Sequence, residues 1–221
     1  MSTKPISLVA IDDHPLILMG IAAALTQQAA GIDWLGSASS RAQLNALVVS
    51  LAAPPDIVLY DLHLSDDSDP AEGIAWAAAL GIRPIVLTSE IRPVPIRSAV
   101  AAGARGVILK ADPVERMVEV IRTAYAGDFA VSGDLAFVLA NDEVMVPRLA
   151  PRELQALRLL ASGVPRKAIG HQMDPQVELS TVVTYFNRIC KKYQELGREV
   201  RSPFEAIHAA SADGYLETPD L

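Results

Sequence analysis

Two short apolar runs end in acidic residues, Val9-Ala10-Ile11-Asp12-Asp13 and Ile57-Val58-Leu59-Tyr60-Asp61. Two later runs, Ile85-Val86-Leu87 and Val107-Ile108-Leu109, end in Thr88 and Lys110. Asp12, Asp13 and Asp61 offer the hard oxygen ligands that Mg²⁺ prefers. A carboxylate such as Asp61 attacks phosphorus as a nucleophile, while a hydroxyl and an ammonium, Thr88 and Lys110, suit the oxygens of a transferred phosphoryl group. Brought together, the five residues describe a divalent cation beside a phosphorylatable aspartate. His14 follows the acidic pair and is expected to start a helix and line the pocket rim, without a metal role, because an oxygen-rich pocket suits Mg²⁺ rather than zinc.

Side chains this far apart in sequence meet only if the runs that carry them lie side by side. Short β-branched runs between helical patterns predict buried parallel strands, here over residues 6–11, 32–37, 56–61, 83–88 and 106–110. Helices are expected over 15–29, 40–52, 71–80, 94–103 and 113–126. Five such units in alternation imply an α/β doubly wound, five-stranded parallel sheet with helices on both faces. In that architecture ligands bind outside the carboxyl ends of the strands, where the acidic, hydroxyl and ammonium groups fall. Pro54-Pro55 breaks the chain before the third strand, and Gly31, Gly81 and Gly103 stand where helices should stop. Residues 127–147 predict a linker, with 135–139 apolar enough to pack locally.

The chain has 221 residues, room for two small domains. With 51% hydrophobic and 5% aromatic residues it is too apolar for a disordered chain. No run reaches the ~18 apolar residues that span a bilayer. The start, Met1-Ser2-Thr3-Lys4-Pro5, leads straight into a strand without a signal peptide. The single Cys190 excludes an internal disulfide and fits a reducing cytoplasm. The net charge of −7 is unevenly spread. Residues 1–147 hold nine basic and 17 acidic residues, a balance of −8; residues 148–193 hold eight basic and three acidic, a balance of +5. An acidic regulator joined to a basic reader is the asymmetry expected of a DNA-binding switch.

The ordered set Asp12-Asp13, Asp61, Thr88, Lys110 resembles the receiver domain of a two-component response regulator over residues 6–126. From Leu149-Ala150-Pro151-Arg152-Glu153-Leu154 to Lys192 the chain resembles the helix-turn-helix effector of the NarL/LuxR/FixJ family. The resemblance implies a flavodoxin-like receiver (1–126), a linker (127–147) and a small all-α DNA-binding domain (148–216). It implies phosphorylation of Asp61 by a sensor histidine kinase, with Mg²⁺ held by Asp12, Asp13, Asp61 and the His63 carbonyl, Asp12 acting mainly through water. It further implies a homodimer that binds double-stranded DNA. The chain also departs from the family. Residues 65–72 form a longer, acidic loop whose extra carboxylates would either assist the cation or repel a phosphoryl group. Val107 stands where a switch aromatic is usual. The turn between Met173 and Thr181 carries about two additional residues, and residues 194–201 lengthen the last connection, as in a subset of orphan actinobacterial regulators.

After Pro147 the periodicity is helical. Pro151 suits a first helical position, with Leu154, Leu157, Leu160 and Ala161 on one apolar face. Residues 166–173 predict a second helix, and Ser180 is the expected N-cap of a third running to about Tyr193. Val182, Phe186, Ile189 and Tyr193 form its apolar stripe. A last helix is expected from about Pro203. The third helix is the candidate reader of the DNA major groove. Asn187 has the chemistry for adenine, and Val183 and Thr184 have methyls for thymine. Thr181, Arg188, Lys191 and Lys192 suit phosphates, which position a protein without reading sequence.

Three other readings compete. In one, DNA binding is controlled by a ligand or protein partner at the receiver pocket, without phosphorylation. In another, Asp61 is the nucleophile of a phosphatase-like enzyme, a reading weakened because His63 stands where an aspartate would serve as general acid. In the last, the helical domain binds a protein, against which the +5 balance argues.

Overall fold

A computed structural model describes residues 4–28, 31–131, 135–136 and 146–216, which fall into two compact units. The first alternates strand and helix: β1 (Ile6–Ile11), α1 (Pro15–Gln28), β2 (Ile32–Ala38), α2 (Arg41–Ser50), β3 (Ile57–Tyr60), α3 (Pro70–Ala79), β4 (Arg83–Thr88), α4 (Pro93–Ala101), β5 (Gly106–Leu109) and α5 (Val114–Ala126). All five expected strands and five expected helices are present. A sixth strand, β6 (Ala130–Val131), corrects the expectation of five. It pairs in parallel with β5, so two residues assigned to the linker belong to the sheet. Two residues are too few to show a period of their own, and the sheet edge recruits them. Of the apolar stretch 135–139 only Leu135 and Ala136 are described, and Leu135 is buried.

The strand order is β2-β1-β3-β4-β5-β6, parallel throughout. Alternation along β1 sends Leu8 and Ala10 to one face. There they share a core with Leu18 and Leu25 of α1 and Ile121 and Ala124 of α5. Burial of both sheet faces explains why the central strands are apolar without interruption; β3 is buried at every position. Register then sets which residues leave the strand ends as neighbours. Ile11 lies opposite Tyr60, so Asp12 and Asp61 emerge side by side, and Thr88 lies opposite Leu109, one residue before Lys110.

Among the described residues the second unit packs four helices, α6 (Pro151–Ala161), α7 (Arg166–Gln172), α8 (Leu179–Glu195) and α9 (Pro203–Asp213). Its core joins Leu157, Ile169, Phe186, Ile189, Tyr193 and Ala206. The expected stripe of α8 is inside, with Val182, Phe186, Ile189 and Tyr193 at most 1% exposed. Leu157 and Leu160 of α6 are buried, Leu154 is half-buried and Ala161 is exposed. Pro151 opens α6, and the Glu153 carboxylate reaches back to accept the Ala150 N–H at 2.8 Å. One expected cap is corrected: Glu178, not Ser180, occupies the N-cap of α8. The Glu178 carbonyl accepts the first intrahelical bonds, from Thr181 and Val182, so Ser180 lies inside the first turn.

Candidate functional site

The carboxyl ends of the central strands build an acidic pocket. Asp12, Asp61 and Thr88 are at most 1% exposed. The Lys110 ammonium lies 2.8 Å from a carboxylate oxygen of Asp12 and 2.8 Å from one of Asp61. The approach to Asp61 is a hydrogen bond and that to Asp12 Oδ2 an ion pair; the buried Asp13 Oδ1 lies 2.8 Å from His14 Nδ1. The other Asp13 oxygen accepts the Ser65 N–H at 3.0 Å, and Asp12 Oδ1 accepts the His14 N–H at 2.9 Å. Ligand atoms of Asp12, Asp13, His14 and Asp61 lie within 4.8 Å of one another.

Electrostatics reflect this crowding. Burial raises the Asp61 carboxyl above the usual range; the Lys110 ammonium opposes the rise and the Asp12 charge adds to it. Burial works against the charged form of Lys110, but Asp12 and Asp61 together outweigh it and lift its pKa. Asp13 suffers desolvation too, yet the bonds from Ser65 and the nearby His14 hold its carboxyl low.

Sequence reasoning placed Asp12, Asp13, Asp61, Thr88 and Lys110 around one pocket, and the fold brings all five to adjacent strand ends. His63 lies on the rim with its imidazole 52% exposed and 3.7 Å from the Glu90 carboxylate. Two further residues take part: His14, which the sequence places at the pocket rim, and Glu90, which sequence reasoning did not assign to the site. His14 Nδ1 stands 2.8 Å from Asp13 and 3.0 Å from Asp12, a position implied by its adjacency to the acidic pair. Glu90 is buried, and its N–H donates to the Thr88 hydroxyl at 2.9 Å; its place two residues past Thr88 was the available signal.

Two carboxylates of the acidic loop have partners outside the pocket. Asp66 accepts the Arg41 N–H at the start of α2 (2.6 Å) and the Ser68 hydroxyl (2.6 Å), and Asp69 caps α3 through the Ala71 N–H (2.8 Å). These carboxylates are spent on helix starts and do not join the pocket cluster. Beneath them Tyr60 is wholly buried and its hydroxyl faces Gly73 of α3, where an added Cβ would lie 2.0 Å away. Arg41 stacks 4.5 Å from the Trp76 ring, tying α2 to α3.

On α8, Thr184, Asn187, Arg188 and Lys191 are exposed and Thr181 and Val183 half-buried. Lys192 departs from its expected role. Its ammonium donates to the buried Glu153 carboxylate at 2.6 Å and to the Arg148 carbonyl at 2.8 Å, bracing α8 against the start of α6. The long turn before α8 is held as well. The Arg152 guanidinium donates to the Asp174 and Pro175 carbonyls, and the Val177 N–H donates to the Gly170 carbonyl at 3.0 Å. Gly170 sits so close under the turn that a Cβ would be 2.1 Å from the Val177 oxygen. The lengthened 194–201 connection is fastened by Arg198, which donates to both Asp213 oxygens at 2.7 and 2.8 Å, and Tyr193 donates to the same carboxylate at 2.8 Å.

The chain is 30% identical over 199 residues to the nitrate/nitrite response regulator NarL of Escherichia coli, spanning 86% of this chain and 89% of NarL. The chain belongs to the NarL/LuxR family of response regulators. It is thus a transcriptional regulator of the two-component type. The transcriptional regulatory protein LiaR of Bacillus subtilis is 32% identical over 195 residues, with 85% and 90% of the two chains covered. No family model matches the chain. Among solved structures, RcsB of Salmonella enterica serovar Typhimurium, bound to a promoter in the presence of a phosphomimetic, superposes with a TM-score of 0.69 at 19% identity. That match covers 95% of this chain and 99% of RcsB, and shows a shared fold. Among the described residues no helix is long and apolar enough to cross a membrane.

Proposed function

We propose that this regulator is switched by phosphorylation of Asp61 and that its α8 reads DNA. The carrying observation is the Lys110 ammonium set 2.8 Å from both the buried Asp12 and the buried Asp61 carboxylate, with Asp13 in the same cluster. Such clustered hard carboxylate ligands fit Mg²⁺, with Asp12, Asp13 and Asp61 as its holders and the His63 carbonyl as a further ligand. When bound, the cation neutralises the clustered carboxylates and the phosphoryl oxygens.

Asp61 attacks the phosphorus of a phosphohistidine on a sensor kinase; the Oδ–P bond forms as the N–P bond breaks, and the imidazole leaves. Lys110 moves from the carboxylates to a phosphoryl oxygen, and the Thr88 hydroxyl donates to another. In the second unit, Val183, Thr184 and Asn187 face base edges, while Thr181, Arg188 and Lys191 hold phosphates. Lys192 acts indirectly, through Glu153. Two copies bind half-sites about one helical turn apart. The setting is the cytoplasm, where the lone thiol stays reduced.

The test is treatment with acetyl phosphate and Mg²⁺, followed by intact mass. A gain of one phosphoryl group that disappears in Asp61→Asn is expected; no adduct in the wild type overturns the phosphorylation reading. Val107, wholly buried and without a ring to swing, favours a second reading in which a ligand or protein partner at the same pocket controls DNA binding. That reading predicts unphosphorylated protein with full operator affinity.

A further inference from the structure

The outward side of α8 limits which bases it can recognise. This deepens the DNA-binding reading and rests on it. From Leu179 to Asn187 the helix carries no Arg, Lys, Asp or Glu. The side chains turned from the core over this stretch include Val183, Thr184 and Asn187, with Val183 and Asn187 one turn apart on one shoulder. The Thr184 hydroxyl donates to the Ser180 carbonyl one turn back, at 2.9 Å. With its proton committed to its own helix, Thr184 offers a partner its methyl and an acceptor oxygen but no donor. The exposed Asn187 amide supplies one donor and one acceptor group together.

The cations come later on the same outward side: Arg188 lies one turn after Thr184, on the shoulder away from Val183, and Lys191 one turn after Asn187. Lys191 is 3.7 Å from the Glu195 carboxylate, and Lys192 is engaged by Glu153. Guanine shows two acceptors in the major groove and calls for a donor fork such as Arg; cytosine shows a donor and calls for a carboxylate. The leading turns of α8 have neither. Thymine shows a methyl and adenine an adjacent acceptor and donor, which match aliphatic methyls and a carboxamide.

We propose that each α8 reads A·T pairs: an adenine held by Asn187, flanked by thymines whose 5-methyl groups pack against Val183 and Thr184. The test is selection from random-sequence DNA with the full chain, with Mg²⁺ and acetyl phosphate present, then binding measurements on the selected site at fixed salt. Half-sites with an A·T core are expected. Replacing the core thymines by deoxyuridine removes only the methyls and should weaken binding about fourfold per contacted position. Thr184→Ser keeps the hydroxyl and its bond to Ser180 but lacks the methyl, so it should lose sensitivity to one deoxyuridine, with an unchanged melting temperature. Asn187→Ala should erase the preference for adenine at one position. Selected cores of G·C pairs, or deoxyuridine sites bound as tightly as thymine sites, overturn the proposal. Tight but sequence-independent binding also overturns it while leaving DNA binding intact, whereas no binding to any DNA removes both.

Discussion

Burial works against the charge of Asp61, and Lys110 opposes it only in part. Its folded pKa is raised by burial, so the charged form is disfavoured; the protonated group's contribution to stability is fully present below the ordinary carboxylate range and is lost as pH rises through the folded pKa. At neutral pH without divalent cation, Asp61→Asn should therefore melt about 4 °C above wild type. The gap should close on acidification and on adding Mg²⁺ to wild type, because a ligand that binds only the native state raises its stability. Thermal melts across pH with and without Mg²⁺ check this; a wild type blind to Mg²⁺ while Asp61→Asn is stabilised rules out a working cation site. Lys192 makes the opposite point, since its burial partner needs it. Lys192→Ala leaves the buried Glu153 with the Ala150 N–H but no cation, and denaturant titration should show a loss of about 1–3 kcal/mol, whereas Lys191→Ala should leave stability unchanged. The pocket residues were legible because each ends an apolar run. The fate of Lys192 was not: helical periodicity puts it near the exposed edge, and only the tertiary position of Glu153 turns it inward.

At the scale of elements, regular strands and helices were read to within a few residues because both sheet faces are buried and periodicity reports burial directly. What escaped lacked a period: β6, the cap at Glu178, and the uses of Asp66 and Asp69. A run of carboxylates looks alike in sequence whether it binds a cation or caps helices, and the difference lies in which N–H groups the fold brings near. The contact of Tyr60 with Gly73 gives a test of how firmly α3 is seated. Gly73→Ala places a methyl within 2.0 Å of the tyrosine hydroxyl and should cost about 1–3 kcal/mol. Tyr60→Leu should recover much of that loss in the double variant, and a double-mutant cycle without coupling would show that α3 moves aside freely.

For the molecule as a whole, the charge division matters most. The net charge of −7 hides the +5 balance of residues 148–193, a stretch that includes α8. Measured against salt, DNA affinity should fall steeply, and Arg188→Ala and Lys191→Ala should each reduce the slope by about one unit while weakening all sequences alike. Equal slopes in wild type and both variants would remove these residues from the phosphate contacts.

The seating of Gly170 beneath the Val177 carbonyl has a genetic consequence. Position 170 and the length of the following turn are free to change only as a pair. Gly170→Ala should behave as a loss-of-function allele in this chain, and its intragenic suppressors should cluster at residues 174–177 as deletions that lift the turn. Chains that diverged from this one with a shorter turn should then tolerate a side chain at that position, so that an insertion in the loop and a glycine in the helix are inherited together.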